Sequence, residues 1–114
     1  MRIDSYSFGV MKIDGTEYRQ DLIIFPDKVR SKWWRKQGHS LTVEDLREVL
    51  ESRPELLIVG TGASGLMDVP ASTKKTLQDA GIEVIAQNTS QACSTFNKQA
   101  EAGRKVVGAF HLTC

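Results

Sequence analysis

Hydrophobic and polar residues alternate at the beginning of the chain in the pattern of a strand. Tyr6, Phe8 and Val10 alternate with small or polar residues, which predicts an extended segment. The dipeptide Asp14-Gly15 separates this segment from a second extended stretch. Because glycine supplies the positive φ that a type I′ turn requires, the dipeptide predicts a β-hairpin.

A run of apolar residues follows the hairpin and ends at a proline. Leu22–Phe25 are all apolar, and Pro26 cannot donate a ladder hydrogen bond. We predict a buried strand here. From Asp27 to Leu41 the periodicity disappears and basic and aromatic residues dominate, so this segment is predicted to be a long surface loop.

The second half of the chain alternates between helical and strand patterns. Thr42 and Asp45 approximate a capping box and precede an apolar stripe of helical spacing that stops before Pro54. A second helix is predicted to begin near Pro70, because proline is favoured in the first turn of a helix. A third is predicted to begin near Asn88, because asparagine is a favoured N-cap residue. The predicted elements, in chain order, are a helix from Thr42 to Leu50, a strand at Leu56–Val59, a helix from Pro70 to Gly81, a strand at Ile82–Ala86, a helix from Asn88 to Gly103 and a strand at Val106–Leu112.

Strands that alternate with helices along the chain are usually joined by right-handed crossover connections between parallel strands. We therefore predict an α/β fold with three layers: a mixed, mostly parallel central sheet, helices on it and an N-terminal β-hairpin. With 114 residues the chain is long enough for one core and too short for two, so residues 1–114 are interpreted as a single domain. Seven residues are predicted to contribute to one contiguous core: Leu22, Ile24, Leu57, Val59, Val84, Val107 and Ala109.

Composition and charge narrow the functional classes. The chain is 40% hydrophobic and 25% charged, with a formal net charge of +1, which argues against a general polyanion-binding role. No apolar run approaches the roughly 18 residues of a membrane span, so no membrane contact is expected. Because the chain has two cysteines and its first residues lack the apolar core of a signal peptide, we expect reduced thiols and a cytoplasmic location.

Short motifs distributed along the chain point to a known family. They are Asp14-Gly15 with Tyr18, Phe25-Pro26-Asp27, Trp33-Trp34-Arg35 with Gly38 and His39, Val59-Gly60-Thr61-Gly62, Val69-Pro70 with Ser72, and Phe96-Asn97 with Gly103 and Phe110 to Cys114. Together they resemble the Mth-type domain family over nearly the whole chain. The resemblance implies a three-layer fold around a mixed sheet and roles in protein assembly or regulation. It implies no catalytic residues that could be assigned to this sequence.

A glycine-rich stretch directly follows one predicted buried strand. Residues 60–65 spell G-x-G-x-x-G, the pattern of a dinucleotide-binding turn. Three interpretations stay open: a structural tight turn, a dinucleotide site, or another contact between backbone N–H groups and an anion. The dinucleotide interpretation is weakened because the next helix is predicted to begin only near Pro70 and no second mononucleotide-binding half follows.

Loops that follow neighbouring parallel strands emerge at the same edge of a sheet. We therefore predict that a small anionic ligand, if one binds, lies between the loop that contains Gly60, Thr61 and Gly62 and the loop that contains Asn88 and Thr89. The second of these loops opens a helix, whose N-terminus favours negative charge.

Cations alternate with aromatic rings around Trp33, Trp34 and Arg35. In one interpretation, one tryptophan anchors the loop on the sheet while the lysines are solvated. In another the segment is a protein-contact surface, because Trp and Arg are enriched at binding hot spots. Nucleic-acid binding is the third, although this segment offers only a small electrostatic footprint. We predict that Trp33, Trp34 and Arg35 bind a protein partner, with a second copy of the chain as one such partner.

The cysteine and histidine residues indicate no reaction. Cys93 lies near the start of a predicted helix, where the helix dipole lowers a thiol pKa, but its place beside Phe96 on the apolar stripe favours a buried side chain. His111 and Cys114 are too few for a structural zinc site, which needs four ligands, and His111 is expected near the end of the last strand, exposed or hydrogen-bonded. We therefore expect no catalytic residue, no metal and no cofactor.

The sequence thus favours a non-catalytic binding module with an assembly or regulatory role. The alternative is a protein that binds a small anionic ligand or a nucleotide, with an enzymatic activity still to be found. A protein partner is expected, and nucleic acid is not.

Overall fold

A computed structural model describes residues 1–114 and contains eight strands, three α-helices and one 3-10 turn. The strands are β1 (Ile3–Ser7), β2 (Val10–Ile13), β3 (Thr16–Tyr18), β4 (Leu22–Ile24), β5 (Val29–Arg30), β6 (Leu56–Thr61), β7 (Glu83–Gln87) and β8 (Val106–His111). The helices are α1 (Arg47–Ser52), α2 (Ala71–Asp79) and α3 (Thr89–Glu101), and the 3-10 turn at Val43–Leu46 precedes α1. None of the helices has the length and apolar character needed to cross a membrane.

The first three strands form an antiparallel sheet of their own, in which β2 pairs with both β1 and β3. Asp14 and Gly15, between β2 and β3, have φ values of 48° and 84°. A type I′ turn requires positive φ at both central residues, so the predicted hairpin is confirmed. The sequence reasoning missed a second turn, at Phe8-Gly9, which divides the predicted first strand into β1 and β2.

The other five strands form a second sheet in the order β5-β4-β8-β6-β7. Strand β6 is parallel to β7 and to β8, whereas β4 is antiparallel to β8 and to β5. The sheet is mixed, as predicted, but the prediction of a mostly parallel sheet was wrong. Only a short turn joins β4 to β5, and parallel strands need a crossover of about a dozen residues or more.

The predicted loop also contains more regular structure than the sequence indicated. Val29 and Arg30 form the short edge strand β5, and Phe25 N donates a hydrogen bond to Lys28 O at 2.8 Å across the β4–β5 turn. The molecule is therefore a mixed α/β fold of two sheets and three helices, in place of one central sheet behind a hairpin.

Apolar side chains pack against both faces of the second sheet in two clusters. One cluster joins that sheet to α1, α2 and Trp33, and the other joins it to α3 and the first sheet. The seven predicted core residues divide between the clusters: Leu57, Val59, Val84, Val107 and Ala109 pack in the first, and Leu22 and Ile24 in the second. The prediction of one contiguous core was wrong because successive side chains of a strand point to opposite faces of a sheet, and here both faces are covered.

Leu57 provides a direct test of the first cluster, because its side chain is fully buried. Replacing Leu57 with alanine is expected to lower the free energy of unfolding by about 2 to 5 kcal/mol, since it leaves a cavity in the core. Urea unfolding followed by circular dichroism gives this value. Leu66→Ala is the matched control: Leu66 is exposed, so its substitution should change the free energy by no more than about 0.5 kcal/mol. Equal effects of the two substitutions would contradict the assignment.

Candidate functional site

The residues singled out by the sequence lie at the edge of the second sheet where β6 and β8 end. The two strands are parallel and pair as far as Thr61 opposite His111, so their carboxyl ends meet at this edge. The glycine turn (residues 60–65) continues from β6, and the C-terminal segment (residues 112–114) continues from β8. The tryptophan loop (residues 31–41) reaches the same edge, because the Arg35 side chain contacts His111.

The glycine turn is joined to α3 and to the C-terminal segment by close backbone contacts. Gly62 N donates to Thr89 Oγ1 at 2.9 Å, and Thr89 Oγ1 in turn donates to His111 O at 2.6 Å. Gly62 has φ +107°, and a Cβ on it would lie 2.7 Å from the carbonyl oxygens of Thr113 and Cys114. Glycine is thus required here by the close approach of the C-terminal segment, as in a structural tight turn.

The other polar groups of the predicted anion site also have partners within the chain. Thr61 Oγ1 donates to Gln87 O at 2.9 Å. The Asn88 side chain caps α3 by accepting a hydrogen bond from Gln91 N at 2.9 Å. The Gly62 amide and the Thr61 and Thr89 hydroxyls are thus already used within the chain, so the geometry gives little support to the predicted ligand site, which stays a prediction.

Gly60 lies deeper than the rest of the glycine turn. It is buried at the end of β6, and a Cβ on it would lie 2.6 Å from Cδ1 of the Phe110 ring. Its missing side chain therefore makes room for the core, and Gly60 offers no exposed surface to a ligand.

The two adjacent tryptophans have opposite environments. Trp33 is 8% exposed and belongs to the first core cluster, and its indole Nε1 donates to Asp45 O at 3.0 Å. Trp34 is 76% exposed. Trp33 is thus the anchor that one interpretation of the loop predicted, and Trp34 presents its ring to solvent.

Arg35 lies beneath the tryptophan loop in a buried ion cluster with Asp21 and His111. The Arg35 side chain is 5% exposed, and its Nη1 donates to Asp21 Oδ2 at 2.6 Å. His111 Nδ1 lies 2.8 Å from the same Asp21 oxygen and 3.1 Å from Arg35 Nη2. Arg35 Nη2 also donates to Gly38 O at 3.0 Å, and the guanidinium stacks 4.9 Å from the centre of the Trp33 ring. Arg35 was predicted to bind a partner. Because its side chain is buried and contacts Gly38 and Trp33, it positions the tryptophan loop instead.

The ion cluster holds Asp21 in its ionised form. Burial by itself raises the pKa of Asp21, but hydrogen bonds from Leu112 N, His111 and Arg35 outweigh burial and leave the pKa below its usual value. The sequence reasoning missed Asp21. The available signal was a charged residue directly before the fully buried strand β4, since buried or partly buried charges are normally paired.

Two exposed cations near the tryptophan loop have acidic partners. Arg30 pairs with Glu48 at 3.1 Å, and Lys36 pairs with Glu44. These ion pairs compensate much of the positive charge that a nucleic-acid backbone would need. The geometry therefore gives little support to nucleic-acid binding.

Cys93 is buried on the inner face of α3. Burial raises the pKa of its thiol to about 12, so the nucleophilic thiolate is scarce at neutral pH. The prediction of a small buried side chain is confirmed.

Two further exposed apolar side chains lie near the same edge as Trp34. Phe8 is exposed in the turn between β1 and β2, where Gly9 N donates to Leu112 O at 2.8 Å. Leu66 is exposed directly after the glycine turn, and the next residue, Met67, donates its N–H to Thr61 O at 3.0 Å. The edge therefore carries apolar surface from three separate segments.

Comparison with known proteins places this geometry in a family. The sequence model of one protein family matches residues 3–111, and that family is described as "Protein of unknown function (DUF498/DUF598)". The chain belongs to this family. A protein of known structure, "MT938", is 28% identical and superposes with a TM-score of 0.83, over 99% of this chain and 98% of the other. A Bordetella pertussis protein described as "a Mth938-like domain" is 20% identical, with a TM-score of 0.80 over 97% of this chain and 85% of the other. The resemblance to the Mth-type domain family is thus confirmed.

The chain is also similar to proteins whose names describe a role. The human "NADH dehydrogenase [ubiquinone] 1 alpha subcomplex assembly factor 3" is 33% identical over 112 residues, which cover 96% of this chain and 59% of the human protein. The mouse protein of the same name is 34% identical over 110 residues, 94% of this chain and 57% of its own length. The chain therefore spans somewhat less than three fifths of the length of these relatives.

Proposed function

We propose that the chain is a non-catalytic protein-binding module with an assembly or regulatory role, and that it binds its partner with the edge where β6 and β8 end. The observation that carries this proposal is the exposure of Trp34 on a loop that is fixed by Trp33 and Arg35. A large ring on a rigid support loses little conformational freedom on binding, and tryptophan is enriched at binding hot spots.

Two further observations support a protein partner. Phe8 and Leu66 are exposed apolar side chains on segments whose backbones bond to the same edge of the sheet, and a large apolar patch on a folded chain commonly marks an interaction site. The human and mouse relatives of the chain are named as assembly factors, which fits a module that contacts other proteins.

The polar groups at this edge support a non-catalytic role. Arg35 donates to Asp21 beneath the tryptophan loop, His111 Nδ1 lies within hydrogen-bond distance of both side chains, and the hydroxyls of Thr61 and Thr89 donate to main-chain oxygens. A catalytic group must reach the proton or atom on which it acts. These side chains serve the fold instead.

The proposal predicts that Trp34→Ala will weaken partner capture without affecting folding. The tagged chain is expressed in its own organism, and captured proteins are quantified by mass spectrometry for the wild type, Trp34→Ala and the control Lys75→Ala. Lys75 is as exposed as Trp34 but lies on α2. We expect the Trp34 variant to lose about tenfold or more of the captured partner, equivalent to about 1.4 kcal/mol, and the control to lose none.

Equal capture by all three chains would overturn the assignment of Trp34 as the binding residue. A second copy of the chain is the other partner considered. Sedimentation of the wild type over a wide concentration range, with Trp34→Ala beside it, shows whether a dimer forms and whether Trp34 holds it.

Binding of a small anion or nucleotide, the alternative function, stays a prediction, as does the cytoplasmic location. The alternative has less support, because the Gly62 amide and the Thr89 hydroxyl already have partners within the chain. A thermal-shift screen with phosphate, sulfate, carboxylates and nucleotides tests it directly.

A further inference from the structure

Two grooves flank the exposed ring of Trp34. One, of about 420 Å³, lies between the tryptophan loop and the start of α1. The other, of about 370 Å³, is lined in part by Gln20 and Asp21. Lys32, Trp33 and Trp34 line both grooves, so the Trp34 ring is a wall that the two grooves share. An extended segment of another protein could therefore contact the ring along its length.

The acidic side chains of the larger groove are already engaged within the chain. The groove is lined by four basic and three acidic residues. Glu48 pairs with Arg30, Glu44 pairs with Lys36, and the Asp45 carboxylate caps the 3-10 turn. Basic side chains outnumber acidic ones by one in this groove, so it keeps a small net positive charge for a partner.

Lys32 and Arg47 supply that remaining charge. Both are exposed and line the groove, and neither takes part in any of the ion pairs of the chain. Lys32 also has a φ of 56°, the left-handed region that costs a non-glycine residue free energy. Backbone strain of this kind is concentrated at binding and catalytic sites. Lys32 helps to line both grooves.

We propose that the grooves beside Trp34 bind a short acidic segment of a partner protein, with an apolar side chain of that segment against Trp34 and its carboxylates paired with Lys32 and Arg47. This inference rests on the proposed function and adds the chemistry of the partner. Charge complementarity of this kind sets the specificity and rate of association more than the affinity.

The acidic residues of the groove distinguish a protein segment from a nucleic acid. Glu44, Asp45 and Glu48 lie beside the free cations, and a nucleic acid would bring a phosphate with every nucleotide against them. A peptide can place its few carboxylates opposite Lys32 and Arg47 alone. The mixed charge of the groove therefore favours an acidic peptide.

Selection of peptides from a random dodecapeptide library on phage, with the full chain as target, tests the inference. We expect the enriched peptides to combine Asp or Glu with an aromatic or large aliphatic residue. Synthetic versions should bind about tenfold more weakly to Trp34→Ala and to the double variant Lys32→Glu, Arg47→Glu when measured by fluorescence anisotropy. Lys75→Glu, a charge reversal outside the groove, should bind them as the wild type does.

Exchanging the charges between the peptide and the groove tests the ion pairs more directly. Peptides in which lysine replaces each acidic residue should bind the Lys32→Glu, Arg47→Glu variant better than they bind the wild type. The double variant should keep its circular dichroism spectrum, because both side chains are exposed.

The outcomes separate this inference from the proposed function. Enriched peptides that need Trp34 but lack acidic residues, or that bind equally well after charge reversal, would overturn the acidic partner and leave the protein-binding role intact. Failure to enrich any Trp34-dependent peptide would also overturn it, while capture of the cellular partner tests the proposed function separately. Tighter binding of an oligouridylate than of the peptides, or a dimer broken by the double variant, would assign the groove to RNA or to a second copy.

Discussion

Replacing Arg35 with alanine is expected to lower the free energy of unfolding by about 3 to 5 kcal/mol, because removing one partner of a buried ion pair leaves the other charge uncompensated. The Arg35 side chain is 5% exposed, and the Asp21 side chain that it contacts is 18% exposed. Arg35 also holds the tryptophan loop through Gly38 and Trp33. Urea unfolding followed by circular dichroism measures the loss.

Arg30→Ala is the matched control for this prediction. Arg30 pairs with Glu48, but its side chain is 60% exposed, and exposed ion pairs contribute about 0 to 1 kcal/mol. If Arg35→Ala were no more destabilising than Arg30→Ala, the buried cluster would not be a major source of stability.

The pH dependence of stability tests the charge of Asp21 separately from its shape. The pKa of Asp21 is lowered in the folded chain, so the folded state binds fewer protons at this residue than the unfolded state does. Its contribution is fully present above the unfolded pKa of about 3.9, and it is lost as the pH falls through the lower folded pKa. The stability difference between the wild type and Asp21→Asn should therefore be constant near neutral pH and shrink below about pH 4. A difference that does not change with acid would show that the Asp21 charge is unimportant.

Trp33→Ala is expected to lower the free energy of unfolding by about 3 to 5 kcal/mol, whereas Trp34→Ala should change it by no more than about 0.5 kcal/mol. Trp33 fills the core between the second sheet and α1, donates to Asp45 O and supports the Arg35 guanidinium. Trp34 has no comparable contacts because its ring is exposed. Urea unfolding of the two variants, followed by circular dichroism, measures both values.

Each of the two variants is the control for the other, since both replace a tryptophan with alanine at adjacent positions. Destabilisation by Trp34→Ala of the size expected for Trp33 would mean that the ring is packed and unavailable to a partner. Little effect of Trp33→Ala would mean that the loop is anchored by Arg35 alone.

The tryptophan loop illustrates why the sequence left the candidate site unresolved. The sequence indicated that one tryptophan could anchor the loop, but it did not indicate which one. In helices and strands the spacing of apolar residues assigns each side chain to a face, whereas an irregular loop has no period. The assignment of Trp33 to the core and Trp34 to solvent follows from contacts with Asp45 and Arg35.

The glycine turn was likewise predicted in part from the sequence and decided in part by the tertiary structure. Its position after a buried strand and its tight geometry could be predicted, because glycine permits conformations that other residues avoid. The sequence predicted that the loop with Thr89 lies beside this turn, but it did not predict that the Thr89 hydroxyl bonds the Gly62 amide or that Thr113 and Cys114 close over the turn. The Gly62 amide and the Thr89 hydroxyl, which the sequence assigned to an anion, are consequently used by the fold.

The sequence by itself determined the three helices, the hairpin at Asp14-Gly15, the buried strands β4 and β6 and the burial of Cys93. These features depend on hydrophobic period, capping residues and turn chemistry, which act over a few neighbouring residues. Only the tertiary structure decided the antiparallel pairing of β4 with β8, the division of the core into two clusters and the exposure of Trp34. The tertiary structure also decided the contact between Asp21 and His111, two residues that are 90 positions apart in the chain. Such contacts form because the whole chain must pack both faces of one sheet and pair its buried charges at the same time, a requirement that no local stretch of sequence expresses.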